Sequence, residues 1–325
     1  MKLSEPRWKD EDTKKAIEAV ERIEDQSKLL IIASDTFGVN SDVRMTAVKK
    51  LTDQDALADV AKNDAAHEVR MTALGKLTDQ DLLFDLIYSA ADFHVRWFST
   101  MALTDQDLLA EVTKNCHESH MRLEAVKKIT DQTMLAYAAK SDADLYVRFR
   151  AAERLTDQDL LADVAKNASD FYIRFYVAMR LNDKTLAQET FAYLAKNGVN
   201  ERLRLDSAET LADQTLAQET FADLAMNSPA FSMRLAAAKR LTDQTLAQET
   251  FADLAKKSDD CELRYEEAKR LEKQSMPVDV NAAAGDCLVC CEAVGYLTDQ
   301  DLLAYLAENS VSIVVRSTAM DKIDR

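Results

Sequence analysis

The chain has 325 residues, of which 47% are hydrophobic, and it contains only five glycines and three prolines. This composition supports a buried core and excludes a largely disordered chain, and the scarcity of turn residues argues against loop-rich and β-rich architectures. The 57 acidic residues exceed the 41 basic ones and give a net charge of −16, which makes nucleic acid an unfavourable partner.

The compartment is predicted from three further features of the sequence. Residues 1–12 are polar and charged, unlike the apolar centre of a signal peptide. No segment approaches the roughly 18 apolar residues that a membrane span requires. The five cysteines are irregularly spaced, which is typical of a reducing compartment rather than of a disulfide framework. We therefore expect a cytoplasmic protein that does not contact a membrane.

An internal repeat is the strongest pattern in the sequence. Arginines recur at intervals of 26 residues, at Arg44, Arg70, Arg96, Arg122, Arg148 and Arg174. The interval becomes 30 through Arg204, Arg234 and Arg264, and returns to 26 at Cys290, which takes the arginine position, and Arg316. A leucine or isoleucine follows seven residues after most of these arginines, and then Thr-Asp-Gln or a close variant. Such self-similarity predicts a repeat architecture.

The first part of the chain is predicted to contain an N-terminal cap and a series of short helix pairs. Residues 1–40 comprise the cap, at Trp8–Glu21, and the first repeat, and residues 41–181 comprise the 26-residue repeats. In each repeat the first helix follows the Thr-Asp-Gln corner, whose Thr or Asp can cap it. We expect an asparagine in the left-handed conformation to close this helix, at Asn63, Asn115, Asn167, Asn197 and Asn227. The second helix carries Val-Arg-x-x-Ala-Val-x-Lys-Leu and one apolar stripe.

The second part of the chain is predicted to contain longer repeats and one interruption. Residues 182–271 comprise the 30-residue repeats, in which four extra residues lengthen the first helix by close to one turn. The near-identical segments 186–195, 216–225 and 246–255 indicate duplication within the chain. Residues 272–288 lack the corner and contain Pro277 and Gly285, so an irregular loop is expected there. Residues 289–325 comprise the C-terminal repeats.

The pattern Val-Arg-x-x-Ala-x-x-x-Leu with its acidic corner resembles the HEAT-like repeat family, and most closely the short variant found in phycobilisome lyases. The resemblance covers residues 15–325 and implies an all-α fold, a right-handed α-solenoid of about twelve short helix-pair repeats of 26–30 residues in a single domain over 1–325. A leucine-rich-repeat-variant solenoid is the structural alternative. In HEAT-like proteins the arginine bonds carboxylates and carbonyls at the corner, which implies pairs such as Asp64 with Arg70 and Asp142 with Arg148.

Aromatic residues replace acidic ones beside the repeat arginine in one part of the chain. Asp42 and Glu68 are typical of these positions elsewhere, whereas aromatic residues, histidines and an arginine occupy them and the neighbouring positions between residues 93 and 176. An exposed aromatic cluster with a nearby arginine is typical of a binding hot spot, although such residues can also fill a wide concave surface. The predicted partner-binding residues are His94, Trp97, Phe98, His120, Tyr146, Phe149, Arg150, Tyr172, Phe175 and Tyr176.

Two other groups of residues contain side chains that can bind metals. Cys261, Cys287 and Cys290 occupy positions that stacking could bring together, so they are candidates for zinc or an iron–sulfur cluster, with buried core cysteines as the alternative. The pairs His67-Glu68 and His117-Glu118 resemble those of deoxyhypusine hydroxylase, a HEAT-like di-iron enzyme. That enzyme needs four such pairs in equivalent positions, and two in different positions do not predict iron.

The sequence predicts a binding protein rather than an enzyme. It shows no phosphate-binding loop, nucleophile elbow or catalytic triad spacing. The main hypothesis is therefore a non-catalytic scaffold that binds a basic or neutral protein or peptide on the second-helix, concave face of its central repeats, without a cofactor. The resemblance leaves two alternatives, an enzyme subunit or chromophore-handling protein of the lyase type and, less favoured, a DNA-binding HEAT-like protein.

Overall fold

The structure is a computed structural model, and it describes residues 7–257, 259–261, 263, 265, 266, 269 and 280–323. Within these residues the chain is entirely helical, with 21 α-helices and no β-strand, as the repeat pattern predicts. It divides into two compact units, Met1–Ser169 and Asp170–Arg325. Helices that are consecutive in the chain pack as pairs, which makes the fold an α-solenoid of helix-pair repeats.

The first unit begins with a 3₁₀ turn at Arg7–Lys9, followed by α1 (Thr13–Glu21), which packs on α3. Five helix pairs follow: α2 (Gln26–Ser34) and α3 (Ser41–Lys50), α4 (Gln54–Asn63) and α5 (His67–Leu74), α6 (Gln80–Ser89) and α7 (Phe93–Ala102), α8 (Gln106–Asn115) and α9 (Ser119–Val126), and α10 (Gln132–Ser141) and α11 (Leu145–Arg154). The unit ends with α12 (Gln158–Asn167), which packs on α10.

The second unit begins with α13 (Phe171–Ala178), which packs on the first helix of the next pair. Its pairs are α14 (Lys184–Asn197) and α15 (Glu201–Glu209), α16 (Gln214–Asn227) and α17 (Phe231–Ala238), α18 (Gln244–Lys256) and α19 (Val280–Val294), and α20 (Gln300–Asn309) and α21 (Ile313–Ile323). The first helix of a pair is called the A helix below, and the second the B helix.

Each A helix begins at the aspartate of its corner. Asp79, for example, accepts hydrogen bonds from the amides of Asp81 and Leu82, and the other A-helix caps are also aspartates. An aspartate at this position satisfies amides that lack a partner within the helix and interacts favourably with the helix dipole. Capping by the corner, which the sequence predicts, is therefore confirmed, with aspartate as the capping residue.

The predicted left-handed asparagine at the end of the A helix is wrong. Asn63 is the last helical residue of α4, and Asp64 after it has extended backbone, with φ −62° and ψ 139°. The Asn63 side chain donates a 2.8 Å hydrogen bond to Asp59 one turn earlier. Asn115, Asn167 and Asn227 bond an acidic residue in the same way. The asparagine at this position is therefore explained by a side-chain hydrogen bond along the helix rather than by a left-handed backbone conformation.

A glutamine joins the corners of successive repeats. Gln80 Oε1 accepts hydrogen bonds from the Thr104 amide at 2.7 Å, the Thr104 hydroxyl at 3.1 Å and the Asp105 amide at 3.0 Å. The same bond to an amide 24 or 26 residues further on is made by Gln26, Gln54, Gln106, Gln132, Gln188 and Gln218. These glutamines fix the register of neighbouring repeats within each unit.

The extra turn of the long repeats lies at the start of the A helix. In α4 the glutamine that bonds the next corner is Gln54, directly after the capping Asp53. In α14 it is Gln188, five residues after the capping Asp183. The helix grows from 10 to 14 residues while the glutamine keeps its distance from the corner it binds. The predicted lengthening by one turn is confirmed.

Loss of one corner glutamine should cause a modest loss of stability. We expect Gln80→Ala to lower the free energy of unfolding by about 1–2 kcal/mol, because two corner amides and a hydroxyl lose their acceptor but remain close to water. Urea unfolding followed by circular dichroism measures this change. Gln244→Ala is the matched control, because Gln244 is exposed and its repeat uses Gln248 for the corner. Equal losses in the two variants would contradict the assignment.

The core of each repeat is formed by small and branched side chains on facing helices. In the first unit a single cluster of buried residues runs from Ala16 to Ala125, and Leu51, Leu103 and Leu109 within it have no exposed surface. Leu51 and Leu103 are the leucines that follow the repeat arginine by seven residues, and each directly follows the B helix of its repeat. Stacking is required because one helix pair cannot bury its apolar stripe alone.

The prediction of an irregular loop at 272–288 is wrong for residues 280–288. Residues 280–288 belong to α19, and 272–279 lie outside the described residues. Gly285 lies in the interior of this helix, where it is tolerated because one glycine costs only about 1 kcal/mol relative to alanine. Three alanines precede it, which favours helix. Arg264 also lies outside the described residues.

None of the described helices combines the length and the apolar character that crossing a bilayer would require.

Candidate functional site

The repeat arginines are bound within the fold. Arg44 donates two hydrogen bonds of 2.8 Å to the carboxylate of Asp64, and the two side chains are 5% and 1% exposed. Arg122 binds Asp142 in the same two-pronged geometry at 2.8 Å, and also donates to the carbonyls of Cys116 and His117. The hydrogen bonds that Arg122 donates to the Asp142 carboxylate raise the pKa of Arg122. These guanidinium groups are therefore structural, as the resemblance implies.

Arg44, Arg70, Arg96 and Arg122 each bind a carboxylate from the following repeat, which corrects the predicted pairs. Arg70 donates to the main-chain carbonyl of Asp64 at 2.7 Å, whereas the Asp64 carboxylate binds Arg44. Likewise Arg148 donates to the Asp142 carbonyl at 2.8 Å, while the Asp142 carboxylate binds Arg122. The residues of each predicted pair are therefore in contact, but the arginine binds the main-chain carbonyl of the aspartate and not its carboxylate. The arginine of one repeat thus connects its own corner to the carboxylate of the next.

The second unit contains the same kind of arginine–carboxylate bond. Arg204 binds Asp223 at 2.6 Å and Arg234 binds Asp253 at 2.7 Å. The hydrogen bond from Arg204 and a second one from Asn227 lower the pKa of Asp223 below its ordinary value. Asp223 therefore stays ionised at neutral pH.

Most of the exposed residues of the predicted binding site lie on three B helices of the first unit, α7, α9 and α11. Phe98 is 37% exposed, Phe149 43% and Tyr146 75%. His94, His120 and Arg150 are also exposed, and Arg150 pairs with Glu153 on its own helix at 2.6 Å. We call His94, Phe98, His120, Tyr146, Phe149 and Arg150 the aromatic face.

Trp97 lies beneath this surface rather than on it. Its ring packs against the buried core and contacts Phe98, with 5.1 Å between the ring centroids. Trp97 is therefore half-buried and supports Phe98 from below. Its predicted role as an exposed anchor is replaced by one of holding the neighbouring ring.

The three predicted residues of the second unit lie on α13. Tyr172 is 44% exposed, and its hydroxyl accepts a hydrogen bond from Asn200. Phe175 is half-buried and packs edge-on against Phe191 at 5.4 Å between centroids. Tyr176 is half-buried as well, with the Arg180 guanidinium 5.6 Å from its ring centroid. Of these three side chains, Tyr172 offers the most surface to solvent.

Two large exposed residues beside the aromatic face were not predicted from the sequence. Phe93 is 40% exposed, and its ring contacts His94 at 5.9 Å and His120 at 6.0 Å between centroids. Leu145 is 48% exposed. Both are the first residue of their B helix, a position held by serine in α3 and α9. A large apolar residue at this first position of the B helix was the feature of the sequence that could have indicated both residues.

The structure brings together two of the three candidate metal-binding cysteines. The sulfur atoms of Cys261 and Cys290 are 3.1 Å apart, and both residues have no exposed surface. Burial is the main reason why the pKa of Cys290 is raised, and the thiol of Cys261 raises it further, so Cys290 stays protonated. Among the described residues no set of three potential ligands forms around these two sulfurs, so Cys287 does not complete a metal site. A metal ligand would need to be a thiolate.

No model of a known protein family matches the chain, and no curated protein is significantly similar to it. The HEAT-like resemblance therefore remains a prediction from the repeat pattern.

Proposed function

We propose that the protein is a non-catalytic scaffold that binds a basic or neutral segment of another protein on the aromatic face. The observation that carries this proposal is the exposure of Phe98 on α7 and of Tyr146 and Phe149 on α11, two B helices that pack on opposite sides of α9. Large aromatic side chains left in water on one side of a helix stack are typical of interaction sites, because they gain most when a partner covers them. Repeat stacking provides such extended surfaces.

Charge supports a basic or neutral partner. The chain carries a net charge of −16, and the positions equivalent to Tyr146 in the preceding repeats include the exposed acids Asp42 and Glu68. An acidic partner would meet repulsion over this surface, whereas a basic one would be attracted over about 10 Å at an ionic strength of 0.1 M. Arg150 is neutralised by Glu153, so it adds a directional donor without reversing the local charge.

The aromatic face also has the supporting contacts that a hot spot requires. Phe98 rests on the half-buried Trp97, and Phe93 contacts the rings of both His94 and His120. Side chains held by their neighbours lose less conformational entropy when a partner binds. The surface is therefore preorganised on rigid helices rather than carried by loops.

Single substitutions on the aromatic face should weaken binding strongly. A photo-crosslinking amino acid at position 146 should capture the partner, which mass spectrometry then identifies. We expect Tyr146→Ala or Phe149→Ala to raise the Kd for that partner about 30-fold or more, the effect of losing about 2 kcal/mol from a hot spot. Isothermal titration calorimetry measures the Kd.

Tyr137→Ala is the matched control for this experiment. Tyr137 is 43% exposed in the same unit, but it lies on the A helix α10. Its substitution should leave the Kd within about twofold, and the affinity of the unmodified protein should fall as salt is raised. Binding that survives both aromatic substitutions, or that Tyr137→Ala weakens equally, would contradict the proposal.

A further inference from the structure

Two histidines and an aspartate meet where the N-terminal turns of α5 and α7 are adjacent. His67 is the first residue of α5, Asp92 is the N-cap of α7, and His94 lies in the first turn of α7. The Nδ1 atoms of His67 and His94 are 3.7 Å and 3.4 Å from the two carboxylate oxygens of Asp92. One donor atom from each residue lies within 4.8 Å of the other two.

These distances suit a small tetrahedral ion. Zinc binds imidazole nitrogen at about 2.0–2.1 Å and carboxylate oxygen at about 2.0–2.2 Å, so donor atoms on one zinc ion are roughly 3.3–3.5 Å apart. The observed nitrogen–oxygen distances, from His67 to Oδ2 and from His94 to Oδ1 of Asp92, exceed this by at most a few tenths of an ångström, and a set with one donor atom from each residue lies within 4.8 Å. Rotation of exposed side chains covers that difference, and the two histidine side chains are 49% and 58% exposed.

The carboxylate between the histidines is already fixed and ionised. It accepts hydrogen bonds from the guanidinium of Arg70 and, at 2.7 Å, from the amide of His94. Burial raises the pKa of Asp92, but these hydrogen bonds outweigh it and bring the pKa to about 2. Metal ligands must be deprotonated and are usually oriented by hydrogen bonds from a second layer of residues, a place that Arg70 takes here.

We propose that His67, His94 and Asp92 bind a divalent transition-metal ion, with zinc as the best fit. Two imidazoles and a carboxylate are ligands that zinc accepts, and three protein ligands leave one position for water or for a donor atom of a bound partner. Phe93 contacts the ring of His94, so the ion lies at the edge of the aromatic face. The positive charge of Arg70 opposes a cation, so the affinity should be modest.

Metal titration of the full-length chain without a polyhistidine tag tests this site. Calorimetry with zinc chloride at pH 7.5 should show one ion per chain, and cobalt(II) should give the visible absorption of a tetrahedral site. We expect His67→Ala or His94→Ala to weaken zinc binding at least tenfold. His117→Ala is the matched control and should leave it unchanged, because His117 is an exposed histidine outside the group.

Nuclear magnetic resonance of the imidazole nitrogens locates the ion directly. Zinc should shift the signals of His67 and His94 and leave those of His117 in place, with circular dichroism confirming that each variant is folded. The proposal is overturned if the chain binds no zinc, if His117→Ala weakens binding as much as the other two variants, or if only other histidines shift.

Discussion

Replacing Arg44 by alanine should lower the free energy of unfolding by about 3–5 kcal/mol. The Asp64 carboxylate is 1% exposed and is bound by two nitrogen atoms of Arg44. Removing the guanidinium leaves a buried negative charge without its counter-ion, which is among the most destabilising of single changes. Urea unfolding measures the change, and the double variant Arg44→Met with Asp64→Asn should recover part of the loss because it removes both charges.

Arg150→Ala is the control for this prediction. Arg150 also forms an ion pair, with Glu153, but the two side chains are 44% and 47% exposed. An exposed pair contributes about 0–1 kcal/mol, so this variant should unfold close to the unmodified protein. If Arg44→Ala and Arg150→Ala have similar effects, the arginine–carboxylate bond between repeats is not a main source of stability.

Truncation of a single core leucine should lower the free energy of unfolding nearly as much as the loss of Arg44. Leu109 in α8 has no exposed surface, and we expect Leu109→Ala to lower the free energy of unfolding by about 2–5 kcal/mol, through lost apolar burial and the cavity left behind. The neighbouring Leu108 is only half-buried against the same core, so Leu108→Ala should cost less. Urea unfolding compares the two variants.

Hydrogen exchange adds a spatial test of the same substitution. In a stack of repeats each helix pair is stabilised mainly by its neighbours, so damage should be greatest close to the altered repeat. Amide protection in Leu109→Ala should therefore fall most in α8, α9 and the adjacent pairs. A uniform loss of protection across both units, or an equal effect of Leu108→Ala, would contradict this view.

Most of the helices and the starts of the A helices could be predicted because they depend on local chemistry. The corner aspartates, the apolar stripes and the extra turn of the long repeats follow from spacing along the chain, and the structure places them as expected. Exposure of Phe98 and Tyr146 followed in the same way from their angle around the B helix. Local periodicity was therefore sufficient to predict the fold class and part of the aromatic face.

Contacts between repeats could not be predicted from spacing alone. The carboxylate that Arg70 binds is determined by how one repeat is offset from the next. Asp64 is the candidate closer to Arg70 in sequence, but its carboxylate binds Arg44 of the preceding repeat. The group of His67, Asp92 and His94 was not predicted for the same reason, because stacking of two repeats brings His67 to the other two residues. A helix at 280–288 was missed because one glycine and one proline were given too much weight.

The glutamine that joins one corner to the next has an evolutionary consequence. Gln188 and Gln218 make the junction that the shorter repeats make, although their helices are a turn longer. A duplicated repeat therefore carries the glutamine for its own junction, and a deleted repeat takes that glutamine with it. The number of repeats can change by recombination without new residues at the junction between repeats. The near-identical segments 186–195, 216–225 and 246–255 are what such growth by whole modules would leave behind.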